Sequence, residues 1–340
     1  MKPWHSHFVA TFIFTVFAAG AGWYIGGWPA LATVLFLSVL ETSLSFDNAV
    51  VNAGILANWN EVWRRRFLTW GMLIAVFGMR LIFPVVIVAV AAGIGPVKAI
   101  DLAMNDSTEY GRVLAAAHHQ IAAFGGAFLM MVFLRFFVAR HKTEHWLEVL
   151  ERPLSRLGKL ESIEAALTLL IVLAASWAIS DPVRQGEFVV AGVWGVVVFI
   201  VVKGLAALLG GDEEAATHQV VRQGVAGFFY LEVLDASFSF DGVVGAFAMT
   251  HDLLIIALGL GTGAMFVRSF TLLLVERGTL DTYRYLEHGA FWAVGALAAI
   301  MLGGVEFHIP EAITGLLGAL LIVWALGSSM RANRKSASAS

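Results

Sequence analysis

The acids with the most chemical potential in this chain lie where acids are rarely found. Glu41, Asp47, Glu232, Asp235 and Asp241 sit inside long apolar runs, in company with Ser45, Asn48 and Ser239. A carboxylate at the centre of a bilayer costs about 3 kcal/mol even on lenient insertion scales, so such groups usually face a partner, a cavity or a transported ion. Carboxylate, hydroxyl and amide oxygens are hard ligands. They suit Mn²⁺, Ca²⁺ or Mg²⁺ better than Zn²⁺ or Cu⁺. The chain has no cysteine, which excludes disulfides, thiolate metal sites and cysteine nucleophiles. The bland alternative is a polar network that holds two helices together and binds nothing.

These residues belong to a repeat. Leu37–Val50 (LSVLETSLSFDNAV) returns as Leu231–Val244 (LEVLDASFSFDGVV), 194 positions later, with 8 of 14 residues identical. In the first copy Glu41, Ser45 and Asn48 fall at i, i+4 and i+7 and share a helix face. Asp47, six residues on, is about 240° round from Glu41. A regular helix therefore cannot aim both carboxylates at one ion. Either the helix unwinds around Ser45–Asp47 or the two acids face different neighbours. In the second copy Glu232, Asp235 and Ser239 share a face, and Gly242 replaces Asn48, a change expected to ease unwinding there. Arg80 and Arg268 are the basic residues nearest span centres. Each is read either as neutralising an acid when the ion is absent or as half of a permanent ion pair.

The elements that position these groups are membrane spans. Of 340 residues, 59% are hydrophobic and 14% charged, which is not the balance of a soluble protein. Apolar runs at 8–27, 30–57, 67–94, 116–138 and 163–180, then at 188–209, 225–250, 253–275, 289–305 and 311–329, predict about ten spans. Paired spacings support duplication: Gly71 and Arg80 are nine apart, as are Gly259 and Arg268, and His119 precedes Gly126 by seven, as His288 precedes Gly295. With the N-terminus inside, 15 Lys and Arg fall on inner segments against 3 on outer ones. An odd number of spans per half makes the halves inverted. The expected fold is an all-α, polytopic membrane helix bundle of two inverted five-span repeats, 8–180 and 188–329. Segment 139–162 reads as an amphipathic cytoplasmic helix and 330–340 as a disordered cytoplasmic tail. The bilayer itself is the expected partner; no basic face is clustered enough to predict a nucleic-acid partner, and oligomeric state is left open. His119 and His288 open spans four and nine, as capping or interfacial groups with a proton relay as the alternative. Glu164 and Glu311 read as caps in first helical turns.

At Glu41-x-x-x-Ser45-x-Asp47-Asn48 and Asp235…Ser239-Phe240-Asp241-Gly242 the sequence resembles the TerC family of integral membrane proteins, within the LysE-type transporter superfamily. The resemblance covers about 30–327. It implies a bacterial inner-membrane protein that exports divalent cations, with Mn²⁺ ahead of Ca²⁺ as cargo, and the charge count places both termini in the cytoplasm. On that expectation the chain is a carrier and not an enzyme, working by alternating access with proton exchange as a further option. Asp47 and Asp241 are the expected central ligands, with Glu41, Asp235, Glu232, Ser45, Asn48 and Ser239 around them. Two other classes compete. A membrane scaffold of a metal or tellurite stress-response complex would use segment 139–162 to recruit partners. An intramembrane aspartyl protease would need Tyr-Asp and Gly-x-Gly-Asp patterns, which Phe46-Asp47 and Phe240-Asp241 do not supply.

Overall fold

The computed structural model describes residues 7–71, 73–74, 78, 80, 82–139, 144–209, 224–250, 252–306 and 311–339. Among these, secondary structure is helical and no strand occurs. The chain opens with α1 (Val9–Leu44), which is two arms rather than one rod. Its backbone leaves helical geometry at Gly26 and at Gly27, where φ is +64° and glycine is favoured. A straight helix would carry Gly22 and Val34 about 18 Å apart. Instead a Cβ on Gly22 would lie 3.0 Å from Val34 Cγ2, so the chain folds back on itself. The expected spans 8–27 and 30–57 therefore meet as a helical hairpin, with Pro29 in the first turn of the second arm, where its missing N–H costs little.

After α1 come α2 (Phe46–Ala57), α3 (Glu61–Arg66) and a π-helical segment, Phe67–Gly71. Ile74, Gly78, Arg80 and Ile82 are π-helical too, and α4 (Phe83–Ala91) finishes this stretch. The 95–115 segment, between the apolar runs at 67–94 and 116–138, forms α5 (Pro96–Asn105) and α6 (Ser107–Ala116). Apolar Ala99, Ala103, Tyr110 and Leu114 are buried there at helical spacing, which a scan for membrane-length runs passes over. Next are α7 (His118–Phe137), α8 (Glu148–Leu157), α9 (Ile163–Ser176) and α10 (Pro182–Leu209). The last set is α11 (Val225–Met249), α12 (Leu253–Glu276), the short α13 (Thr279–Thr282), α14 (Leu286–Gly303) and α15 (Glu311–Ala339). α15 carries helix through 330–339, where a disordered tail was expected; Arg, Lys and Ala there are good helix formers.

Among the described residues six helices are long and apolar enough to cross a membrane: Val9–Leu44, His118–Phe137, Pro182–Leu205, Leu253–Glu276, Leu286–Gly303 and Ile313–Arg334. This is fewer than the runs read from sequence. The two arms of α1 count once, the third run is described only in part, and α9 is short. α11 has the length but carries Glu232, Asp235 and Asp241.

The core lies around α7, which packs against α10 and α14. Phe128, Phe137, Phe199, Tyr230 and Phe291 are fully buried in it. α1, α10 and α15 instead turn Phe12, Val16, Trp194, Val197, Leu316 and Leu320 outward. Apolar faces of that extent suit lipid rather than water. Small residues allow the closest helix contacts. On α12, Gly259 and Gly263 four apart receive α1, and Ser38 Oγ lies 3.1 Å from the Gly259 carbonyl oxygen.

Candidate functional site between the two acidic stretches

The first acidic stretch is broken at one residue. α1 ends at Leu44, Ser45 (φ −98°, ψ 18°) leaves helical geometry, and α2 starts at Phe46. The Ser45 hydroxyl turns back and donates to Glu41 Oε1 at 3.2 Å. Glu41 is buried against α12, where a Cβ on Gly263 would lie 2.5 Å from its Cβ and Cγ. Its carboxylate also receives the Arg80 guanidinium in a short, buried ion pair. Asp47 occupies the first turn of α2, where the helix dipole favours an acid, and its Oδ1 accepts the Asn48 N–H at 2.9 Å. Its Oδ2 points towards α15, 3.8 Å from where a Cβ on Gly318 would stand. Glu41 and Asp47 thus have different neighbours.

The second stretch is unbroken. α11 runs helical from Val225 to Met249, and Gly242 does not unwind it. Gly242 serves close approach instead: a Cβ there would sit 2.8 Å from Glu41 Oε2, so glycine admits the carboxylate of the other stretch. Asp235 Oδ1 accepts an N–H from the Asn52 side chain at 2.8 Å, which ties α2 to α11. Asn52 was not among the residues read from the sequence. It lies four residues beyond Asn48, on the face already carrying Glu41 and Ser45, and that spacing was the available signal.

A cavity of about 40 Å³ opens between the stretches, room for a small ion with little water. Glu41, Ser45, Asn48, Asn52, Asp235 and Ser239 line it, with Arg80, Arg268 and Thr271. The Asn48 Oδ1, Asn52 Oδ1 and Ser239 Oγ atoms are buried without a hydrogen-bond partner among the described residues. Arg268 Nε donates to the Leu68 carbonyl at 2.6 Å, in the π-helical segment, a geometry that often marks functional sites. Two carboxylates and two guanidiniums therefore face one small space. Asp47 and Glu232 are not in its lining. Glu232 lies beside it, against Gly71, where a Cβ would be 2.6 Å from Oε1, and neither of its buried oxygens has a described partner. The Asp241 side chain lies outside the described residues. Among the described residues no three His, Asp or Glu side chains are grouped to hold a metal ion.

The two histidines stand apart from this cavity. His119 Nε2 lies 2.7 Å from Glu187 Oε2, and His288 Nδ1 lies 3.0 Å from Glu151 Oε2. In segment 139–162, expected as an amphipathic helix, Glu151 is fully buried. Its carboxylate also accepts from Trp292 Nε1 at 3.1 Å and from the Trp146 and Leu147 backbone N–H groups at 3.0 and 3.2 Å. Burial pushes the Glu151 carboxyl up, but His288, Trp292 and the Leu147 N–H outweigh it and hold the group at about 2. Glu164, read as a cap, is buried in an ion pair with Arg135 at 3.2 Å. The Glu311 side chain lies outside the described residues.

No curated protein and no solved structure matches the chain. A family model described as protein of unknown function DUF475 matches residues 46–336, which takes in α2 and the whole of the second acidic stretch, and the chain belongs to that family.

Proposed function

We propose that the chain is a carrier that exports divalent cations, Mn²⁺ ahead of Ca²⁺, by alternating access of two inverted halves related to the TerC family. The cavity supports this reading above all, because oxygens from both acidic stretches meet there: Glu41, Ser45 and Asn48 from one, Asp235 and Ser239 from the other. Hard oxygen donors match such cargo. Glu41 and Asp235 become the central ligands of the proposal in place of Asp47, whose carboxylate turns to α15. Arg80 holds the Glu41 charge in this state, so a cation must displace the guanidinium to bind. That exchange of one positive charge for another is the proposed gate, and proton exchange is its coupling. The setting is a bacterial inner membrane with both termini cytoplasmic.

The test is Mn²⁺ and Ca²⁺ uptake into inside-out vesicles, comparing wild type with Glu41→Gln and Asp235→Asn at equal protein levels. The expected result is accumulation by wild type and its loss in both variants. Absence of accumulation by wild type, with or without a proton gradient, would sink the exporter reading and favour a scaffold. Full activity in Asp235→Asn would remove that residue from the ligand set.

A further inference from the structure

We propose that the ends of α7, α9 and α10 form a binding site for the phosphate of an anionic phospholipid headgroup. α7 finishes two residues after Arg135, α9 begins one residue before Glu164, and Lys203 lies in the last turns of α10. All three side chains meet at one membrane face. Arg135 Nη1 lies 3.2 Å and Lys203 Nζ 3.9 Å from the same oxygen, Glu164 Oε1. Among the described residues one carboxylate faces two cations, so a unit of positive charge is left over there. The carboxylate is the shielded partner, its side chain 9% exposed against 39% for Arg135 and 40% for Lys203. An ion pair built only to hold helices together needs one cation; here two half-exposed cations share one carboxylate.

The surroundings identify that ligand as a lipid. Leu170 and Leu173 on α9 and Trp194, Ile200 and Leu205 on α10 are exposed apolar side chains on the helices that supply the charges. A headgroup phosphate on Arg135 and Lys203 would sit at the end of these lipid-facing helices, with its acyl chains beside them. Long basic side chains near helix ends reach the headgroup layer while their stems stay in hydrocarbon. Basic clusters between spans attract anionic headgroups. The site is independent of what the cavity between the acidic stretches carries.

The full chain in detergent tests this, by the shift of its thermal unfolding midpoint on adding phosphatidylglycerol, phosphatidylcholine or inorganic phosphate. Phosphatidylglycerol is expected to raise the midpoint and the other two to leave it. The Arg135→Gln/Lys203→Gln double variant should lose that shift. Glu164→Gln keeps both cations and removes their competitor, so it should keep or enlarge the shift. Equal shifts from both lipids, an undiminished shift in the double variant, or the same shift from inorganic phosphate alone would each overturn the proposal. If the double variant does not fold, loss of the shift in Glu164→Gln does so.

Discussion

The two acidic stretches share 8 of 14 residues, and the fold treats them differently. The first breaks at Ser45 and sets its acid, Glu41, against Arg80. The second stays helical and sets its acid, Asp235, against the neutral amide of Asn52. Arg268, which matches Arg80 in spacing, is half-buried and donates through Nε to a backbone carbonyl. One copy thus holds its charge neutralised while the other holds it on a hydrogen bond. A shared sequence pattern does not bring identical counter-charges, because those come from other helices.

Substitutions at matched positions test that difference. The largest effect is expected from Glu41→Gln, which leaves the Arg80 guanidinium buried without its carboxylate and should cost about 3–5 kcal/mol of stability. Asp235→Asn keeps an acceptor for Asn52 and should cost well under that. Adding Arg80→Met to Glu41→Gln should recover most of the loss. Unfolding of each variant in micelles measures this, and equal costs for the two single variants would erase the asymmetry.

Glu151, buried outside both stretches and fully bonded, is the reference for a satisfied carboxylate. It faces His145 and His288, the Trp292 N–H and the Trp146 and Leu147 backbone. Its pKa falls from 4.5 to about 2 on folding, so its stabilisation is present above pH 4.5 and is lost as pH drops towards 2. Wild type should lose stability across that window, and Glu151→Gln should flatten the decline. An identical acid limb in both proteins would remove Glu151 as the cause.

Packing effects come next. Gly263→Ala meets the Glu41 stem and should cost about 1–3 kcal/mol. Gly242→Ala meets only the end of that side chain, so its cost should be smaller; the reverse order in thermal unfolding would show that the carboxylate cannot move. The smallest contrast is between the serines. Ser45→Ala removes a bond to Glu41 and should cost about 1 kcal/mol. Ser239→Ala removes a hydroxyl with no described partner and should leave stability unchanged while lowering cation uptake. Unchanged uptake would take Ser239 out of the cavity's function.

How legible was the site? Glu41, Ser45, Asn48, Asp235 and Ser239 were readable because a charged residue in an apolar run is conspicuous and helical spacing gives its face. Asn52 followed the same spacing, but an amide in an apolar run carries less weight than an acid. Glu151 was illegible. It sits in a segment that also carries Glu148, Arg152 and Arg156, and its burial comes from α14, 137 residues away along the chain. The hairpin in α1 was signalled by Gly26, Gly27 and Pro29. The π-helical segment was not, because no residue type reserves that geometry.

By itself the sequence determined a helical chain suited to lipid, with its costly acids confined to two related stretches; composition and periodicity are local properties and survive without a fold. The tertiary structure decided which acid meets which cation. It also decided that Ser45 and not Gly242 breaks its helix, and that Glu41 and Asp235 rather than Asp47 line the common cavity. Those outcomes depend on where another helix presents a glycine, a guanidinium or an amide, and such distances are set only when the helices pack.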